Sequence, residues 1–103
     1  MKSIKSRGPL EGIRILDLST VIAAPYGAAL LGDFGAEVIK IEMPEVGDPL
    51  RNLGPYYKGE GLRWPGMSRN KKSITLDLRQ EEGKEILRKL VSKSDMVIEN
   101  FRT

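Results

Sequence analysis

The stretch "IRILDLSTVIAAPYGAALLGDFGAEVIKIE", Ile13 to Glu42, decides the fold. Ile13 to Leu18 is a β-rich run, opened by the turn residues Gly8-Pro9 and Gly12 and closed by Ser19-Thr20, and it reads as a first strand. Ala23 to Phe34 then predicts a helix, with Pro25 suited to a first helical position and Gly35 to the left-handed residue after a helix end. Its only charge is Asp33, so the helix has no ordinary polar face and is expected to be buried nearly all round. Gly27 and Gly32 each cost about 1 kcal/mol of helix propensity relative to Ala, which asks for a backbone or a ligand lying against them. Ala36 to Glu42 is a second strand, completing a β-α-β unit with a right-handed crossover.

Outward from this unit, Ile74 to Leu78 alternates Ile74, Leu76 and Leu78 with Thr75 and Asp77 and reads as a third strand. Gln80 to Lys93 predicts an amphipathic helix, with Ile86, Leu87, Leu90 and Val91 on the core stripe and a Glu85 to Lys89 pair on the solvent side. Asp95 to Phe101 is a fourth strand. Strands alternating with helices predict an α/β fold around a parallel sheet of four strands and two helices. Two helices cannot cover both faces of such a sheet, so the chain reads as the incomplete amino-terminal part of a larger domain. Between strands two and three, Pro44 to Asn70 is a loop of 27 residues, nine of them Gly or Pro. Loops of that length are functional or disordered, and Tyr56, Tyr57 and Trp64 favour function, because disordered segments are depleted in aromatics.

Composition narrows the chemistry. The 103 residues suit one domain, and the net charge of +3 is spread along the chain apart from the cluster Arg69, Lys71 and Lys72. An RNA-binding role for that cluster is a weak reading, since stacking aromatics are not interleaved with it. With no Cys and no His, disulfides, Cys/His zinc sites, thiol nucleophiles and imidazole triads are excluded, and no metal site is expected. The amino terminus, "MKSIKSRGPLEG", lacks the apolar run of a signal peptide, and no stretch approaches a membrane span, so a soluble cytoplasmic protein is the default expectation.

Ligands of open parallel sheets bind beyond the carboxyl ends of the strands. That rule selects Ser19 to Ala24, Glu42 to Pro44, Leu78 to Gln80 and Asn100 to Arg102 as neighbours around one site. Glu42 at a strand end invites a dinucleotide reading, but Ser19 to Tyr26 contains no glycine to admit a pyrophosphate, which leaves an NAD enzyme as a weak alternative. A phosphate-loop NTPase fails for the same reason. Asp17, Glu42, Asp77 and Glu99 lie at or near strand ends, where turn capping and pairing with lysines are as common as catalysis. The residues alone reach a ligand-binding α/β sheet.

Taken together, "PLEGIRILDLSTVIAAPYGAALLGDFGAEVIKIEMPEVGDP", "SRNKKSITLDL" and "SDMVIENFR" resemble the amino-terminal part of the class III CoA-transferases, a superfamily that includes α-methylacyl-CoA racemase. The loop from Gly47 to Gly66 is more similar to the transferases than to the racemase. The resemblance implies a Rossmann-like large domain of which residues 1–103 form the amino-terminal part, an interlocked homodimer at full length, and coenzyme A, as acyl-CoA, lying across the strand ends. It implies that Ile22 and Ala23 line the site near the thioester, that Leu76 packs on the adenine, that Arg79 stands near the phosphates, and that Asn100 and Phe101 line the same groove. It also implies transfer of CoA between an acyl-CoA and a carboxylic acid through an aspartyl intermediate. The family's aspartate falls beyond Thr103, so no catalytic residue is assigned here and the chain alone is expected to be inactive. Two positions depart from the family pattern. Met43 stands where an arginine often stacks on the adenine, and Ile22 where a glutamine is common. Lys71 and Lys72 belong to the family's basic motif before strand three, and for them solvated charge is favoured over direct ligand contact. An acyl-CoA racemase segment and a non-catalytic CoA- or nucleotide-binding module are the alternatives, with no nucleic-acid or membrane partner expected.

Overall fold

A computed structural model describes residues 8–103; the first seven residues of the segment read above for a leader lie outside them. Four parallel strands form the main sheet: β1 (Arg14–Asp17), β2 (Glu37–Glu42), β5 (Lys71–Thr75) and β6 (Met96–Ile98), in the order β5-β2-β1-β6. Helix α1 (Ala23–Asp33) follows β1, and helix α3 (Glu81–Ser92) follows β5. The chain steps from β1 outward through β2 to β5 and then returns to the far side of β1. The strand order therefore reverses between β1 and β6, the place where open sheets of this kind take their ligands.

Alternation on the strands sends side chains to two cores. Ile15 and Val38 meet Ala28 of α1 and Ala36, with Leu31 and Ile98 packed around them. On the opposite face Leu16, Leu18 and Ile41 meet Ile74, Leu76, Leu78 and the α3 residues Leu87 and Leu90. Gly83, in the first turn of α3, lets the helix lie directly on the chain leaving β5, since a Cβ there would stand 2.1 Å from the Asp77 carbonyl oxygen. Gly83→Ala is expected to lower stability by about 2 kcal/mol despite alanine's better helix propensity, because the obstacle is backbone. That corresponds to a fall of roughly 10 °C in Tm for a domain of this size. An unchanged or raised melting temperature would show that α3 is free to shift.

Several expectations need correction. The third strand begins three residues earlier than its apolar alternation suggests, at Lys71, and its pairing with β2 runs from Val38↔Lys71 to Glu42↔Thr75. Leu76 extends the pairing by one bond, its N–H donating to the Glu42 carbonyl at 3.0 Å. The fourth strand stops at Ile98 instead of Phe101, as the side chains of Glu99 and Asn100 take up backbone partners. Pro44 to Asn70 is not structureless: it holds a 3-10 turn (Pro49–Asn52), a hairpin of β3 (Tyr56–Tyr57) and β4 (Glu60–Gly61), and a short third helix, α2 (Arg63–Met67). Helix α2 packs on the 3-10 turn and on α1.

Helix α1 is not buried all round. Pro25, Ala28 and Ala29 face the sheet, while Tyr26, Leu30 and Phe34, spaced one turn apart, are exposed. A Cβ on Gly27 would meet nothing within 4 Å, whereas Gly32 lies against Asn70 and Val38, so only the second glycine is explained by packing. On α3, Leu87 and Leu90 enter the core, but Ile86 and Val91 stay largely exposed. The ion pairs recorded on this helix are Glu81–Lys84 and Glu85–Arg88, in place of the expected Glu85–Lys89.

Candidate functional site

All four strand-end segments contribute to one cavity of about 260 Å³. Leu18, Ser19 and Thr20 come from the end of β1, and Ile41, Glu42 and Met43 from β2. Leu76 and Leu78 follow β5, Phe101 follows β6, and Gly47 and Asp48 lean in from the long loop. The walls are mostly apolar because β2 and the chain after β5 end in Ile41, Met43, Leu76 and Leu78. Of the residues singled out in the sequence, Leu76 and Phe101 line the cavity directly. Asn100 brackets Thr20: its Oδ1 accepts from the Thr20 N–H at 3.0 Å, and its Nδ2 donates to the Thr20 carbonyl at 2.9 Å. This bracket crosses the point where the strand order reverses. Ile22 and Ala23 are exposed just after Thr20, where α1 begins. Arg79 is exposed beside Leu78 and grips Asp77, with Nε to Oδ1 at 2.9 Å and an Nη nitrogen to Oδ2 at 3.1 Å.

Beneath the first turn of α1 lies a charged network that sequence reasoning missed. Lys40, 2 % exposed, donates to Asp48 Oδ2 and to the Ser19 carbonyl, each at 2.6 Å. Lys71 donates to Asp17 Oδ2 at 2.8 Å and to the Pro25 carbonyl at 2.9 Å, and its side chain is also 2 % exposed. The expectation of a solvated Lys71 is therefore corrected: the third strand starts early enough to point this lysine under α1. Burial pushes the Lys71 ammonium below its ordinary range, opposed by its bond to Asp17. Lys72 does reach solvent, though it pairs with Glu37 at 2.6 Å, and Arg69 pairs with Asp33 at 2.8 Å. Each cation of the cluster is thus ion-paired within the fold.

A second group joins the long loop to the sheet. Arg51 makes two 2.8 Å bonds to the Glu42 carboxylate and stacks at 4.0 Å over Trp64. Glu42 also accepts from the Asp48 N–H at 2.7 Å and from Ser73 Oγ at 3.0 Å. The Arg51 guanidinium, aided by these bonds and opposed by burial, holds Glu42 down from 4.5 to about 2. A carboxylate with a depressed pKa in the folded protein contributes stability at pH values above 4.5, and that contribution disappears as pH falls from about 4.5 to about 2. The shift corresponds to roughly 3 kcal/mol. Arg51→Ala is expected to lower stability at pH 7 and to flatten the stability profile between pH 5 and pH 2. Urea unfolding at several pH values checks this, and parallel profiles for the two proteins would contradict it.

One sequence signal could have exposed the network. Lys40 sits in a strand flanked on both sides by other strands, where a charge must find partners. Nothing local marks Asp48 as its partner.

A larger groove of about 740 Å³ opens at the opposite, amino-terminal ends of the strands, between Arg14, Glu37, Lys72, Lys93 and Asp95. Glu37 pairs with both Arg14 and Lys72 there, each at 2.6 Å, and the groove lies at the strand ends opposite those where open parallel sheets take their ligands. The strand-end cavity is therefore the candidate site.

Among the described residues no helix is long and apolar enough to cross a membrane, and no cluster of metal-ligating side chains occurs. Fold and cavity together define a parallel α/β domain with a candidate ligand site at the carboxyl ends of its strands. Residues 10–103 match the family model described as CoA-transferase family III, and the chain belongs to that family. It is 52 % identical over 103 residues to succinyl-CoA–D-citramalate CoA-transferase of Chloroflexus aurantiacus, covering 99 % of this chain and 26 % of that protein. It is 43 % identical to human succinyl-CoA:glutarate CoA-transferase, covering 98 % of this chain and 23 % of that protein. Among solved structures, a CAIB/BAIF family protein from Brucella suis superposes with a TM-score of 0.83 at 42 % identity, over 93 % of this chain and 26 % of that one. The chain spans about a quarter of the length of these relatives.

Proposed function

We infer that this chain supplies the CoA-binding part of a class III CoA-transferase, which moves CoA between an acyl-CoA and a carboxylic acid. The observation that carries the reading is the apolar cavity at the strand ends, walled by Leu76, Leu78, Met43 and Phe101. Its volume falls below the roughly 300–1,000 Å³ of pockets that enclose a whole drug-sized ligand. One flat ring fits, and the adenine of CoA is assigned to it. Arg79 then serves the phosphates after exchanging its bond to Asp77, and the pantetheine arm runs along Phe101 and Thr20 toward Ile22 and Ala23. Met43 contacts the ring through its thioether, without the cation-π contribution that an arginine would bring. Asn100 acts on the groove through the Thr20 backbone.

The chemistry assigned to the whole enzyme begins with attack by an aspartate carboxylate on the acyl-CoA carbonyl, which expels CoA thiolate and leaves a mixed anhydride; the thiolate attacks the aspartyl carbonyl, releasing the donor acid and forming an aspartyl-CoA thioester. The acceptor carboxylate attacks that thioester to give a second anhydride, and the freed thiolate takes its acyl group as the new acyl-CoA and restores the aspartate. That aspartate lies outside these 103 residues, which bind and orient the cofactor. Succinyl-CoA as donor and a short dicarboxylic acid as acceptor are favoured by the names of the relatives, which include acetyl-CoA:oxalate CoA-transferase of Acetobacter aceti. A Rossmann-like large domain, a homodimer at full length and a cytoplasmic location complete the proposal.

Calorimetry with CoA, succinyl-CoA, NAD and a short RNA tests it. Saturable binding of CoA and succinyl-CoA is expected, at least tenfold tighter than NAD or RNA. Equal or tighter binding of NAD would move the chain to the dinucleotide class, and binding of RNA alone would remove the cavity from the account.

A further inference from the structure

The backbone from Ser19 to Val21 is held by side chains drawn from distant parts of the chain. The Ser19 N–H donates to Asp17 Oδ1 at 3.0 Å, and the Ser19 carbonyl accepts from Lys40 at 2.6 Å. Asn100 brackets Thr20, as described above. The Val21 N–H donates to Asp48 Oδ1 at 2.9 Å. Val21 itself sits at φ +71°, in the left-handed region that a β-branched side chain rarely adopts. Such a conformation persists only where its surroundings over-determine it, and conformations of this kind concentrate at ligand sites.

Asp48 is the group placed to impose that conformation. Its Oδ1 accepts from both Val21 and Leu50 at 2.9 Å, while its Oδ2 is taken by Lys40. Although Asp48 borders the cavity, both of its oxygens are engaged by the protein, so it acts through the turn and not on a ligand. Stability alone is a poor explanation for the buried pair, since well-packed apolar residues of similar volume often serve a core as well or better. What the pair adds is a fixed direction for the backbone. Resting on the reading of the strand ends as a CoA site, we propose that Asp48, braced by Lys40, is a positioning residue. It locks Val21 in the left-handed conformation and thereby sets both the Thr20 wall of the cavity and the point at which Ile22 and Ala23 begin α1.

The test compares the wild-type protein with Asp48→Asn, which keeps the shape but not the charge that holds Lys40, and with the double variant Asp48→Asn/Val21→Asn. Asparagine tolerates the left-handed region, so the second change reduces the need for a brace. Amide hydrogen exchange is followed by NMR for Thr20 and Val21 and, as internal controls, for Ile15 and Val38 in the sheet. CoA affinity is measured on the same samples, well below each melting temperature. In Asp48→Asn the sheet amides report the loss of global stability, and the turn amides are expected to accelerate at least tenfold more than they do, CoA affinity to fall at least tenfold, and the double variant to recover most of both. Unchanged exchange at Val21 overturns the proposal whatever CoA does. So does equal acceleration of turn and sheet, or a looser turn that leaves CoA affinity intact. If wild-type protein binds no CoA, it is the CoA reading that falls, and the exchange comparison still decides whether Asp48 fixes the turn.

Discussion

Lys40→Met is expected to destabilise the protein by about 3–5 kcal/mol, the cost of leaving a buried charge without its partner. The ammonium of Lys40 answers Asp48 at 2.6 Å and stands 3.9 Å from Asp17, and all three side chains are almost fully buried. Methionine fills the space but leaves Asp48 Oδ2 and the Ser19 carbonyl without a donor. Asp17 is better protected, because Lys71 still holds it at 2.8 Å. For a domain whose whole stability lies at about 5–15 kcal/mol, the loss removes at least about a fifth of it and lowers the unfolding midpoint in urea by at least about 1 M. Adding Asp48→Asn to Lys40→Met removes the orphaned charge and should recover about half of the loss, a coupling that a double-mutant cycle measures. A loss below 1 kcal/mol for Lys40→Met, followed by circular dichroism in urea, would show that water reaches Asp48 and that the network is not a closed one.

Leu76→Asp is expected to weaken CoA binding more than a hundredfold, or about 3 kcal/mol. Leu76 packs on Leu18 and Ile41 and lines the cavity at the place assigned to the adenine ring. A carboxylate there has to be desolvated when a ring enters, and it adds a negative charge close to a ligand that carries phosphates. Leu76→Ala, which removes only apolar contact, should cost about tenfold. Leu76 is partly exposed at the cavity wall, so both variants should stay folded, and far-UV circular dichroism checks that before titration. A folded Leu76→Asp protein with wild-type affinity for CoA would take Leu76 out of the site.

The β-α-β unit was legible because its strands and helix differ in period and its turns are marked by Gly8, Pro9, Gly12 and Gly35. The same reasoning misplaced the third strand. Arg69 to Lys72 looked like a polar loop, but the partner that makes Lys71 a buried strand residue is Asp17, 54 positions earlier. Apolar alternation continued to Leu78 because Leu76 and Leu78 still pack on the core after the last sheet bond, Leu78 from a turn closed by the Gln80 N–H on the Asp77 carbonyl, so periodicity reported burial more faithfully than pairing. Helix α1 erred in the other direction. Its lack of charge implied burial on every side, yet Tyr26, Leu30 and Phe34 form an uncovered stripe, since apolar composition cannot say which surfaces this part of the chain covers.

The candidate site was legible in outline as a cavity, because strand-end geometry follows from topology alone, and all four segments chosen on that basis border it. Its supports were not. Asp48 and Arg51 belong to a loop whose glycines and prolines hide its fold, and they matter only once that loop turns back onto Glu42 and Lys40. Asn100, expected to line the groove, holds the Thr20 backbone with its amide.

The most direct measurement is an NMR titration of the isotopically labelled protein with CoA, following the backbone amides. The largest shifts should fall on Leu18, Thr20, Met43, Leu76 and Phe101, with the amino-terminal ends of the strands, Arg14, Glu37 and Lys72, nearly still. Shifts confined to that second set, or none at saturating CoA, would contradict the account.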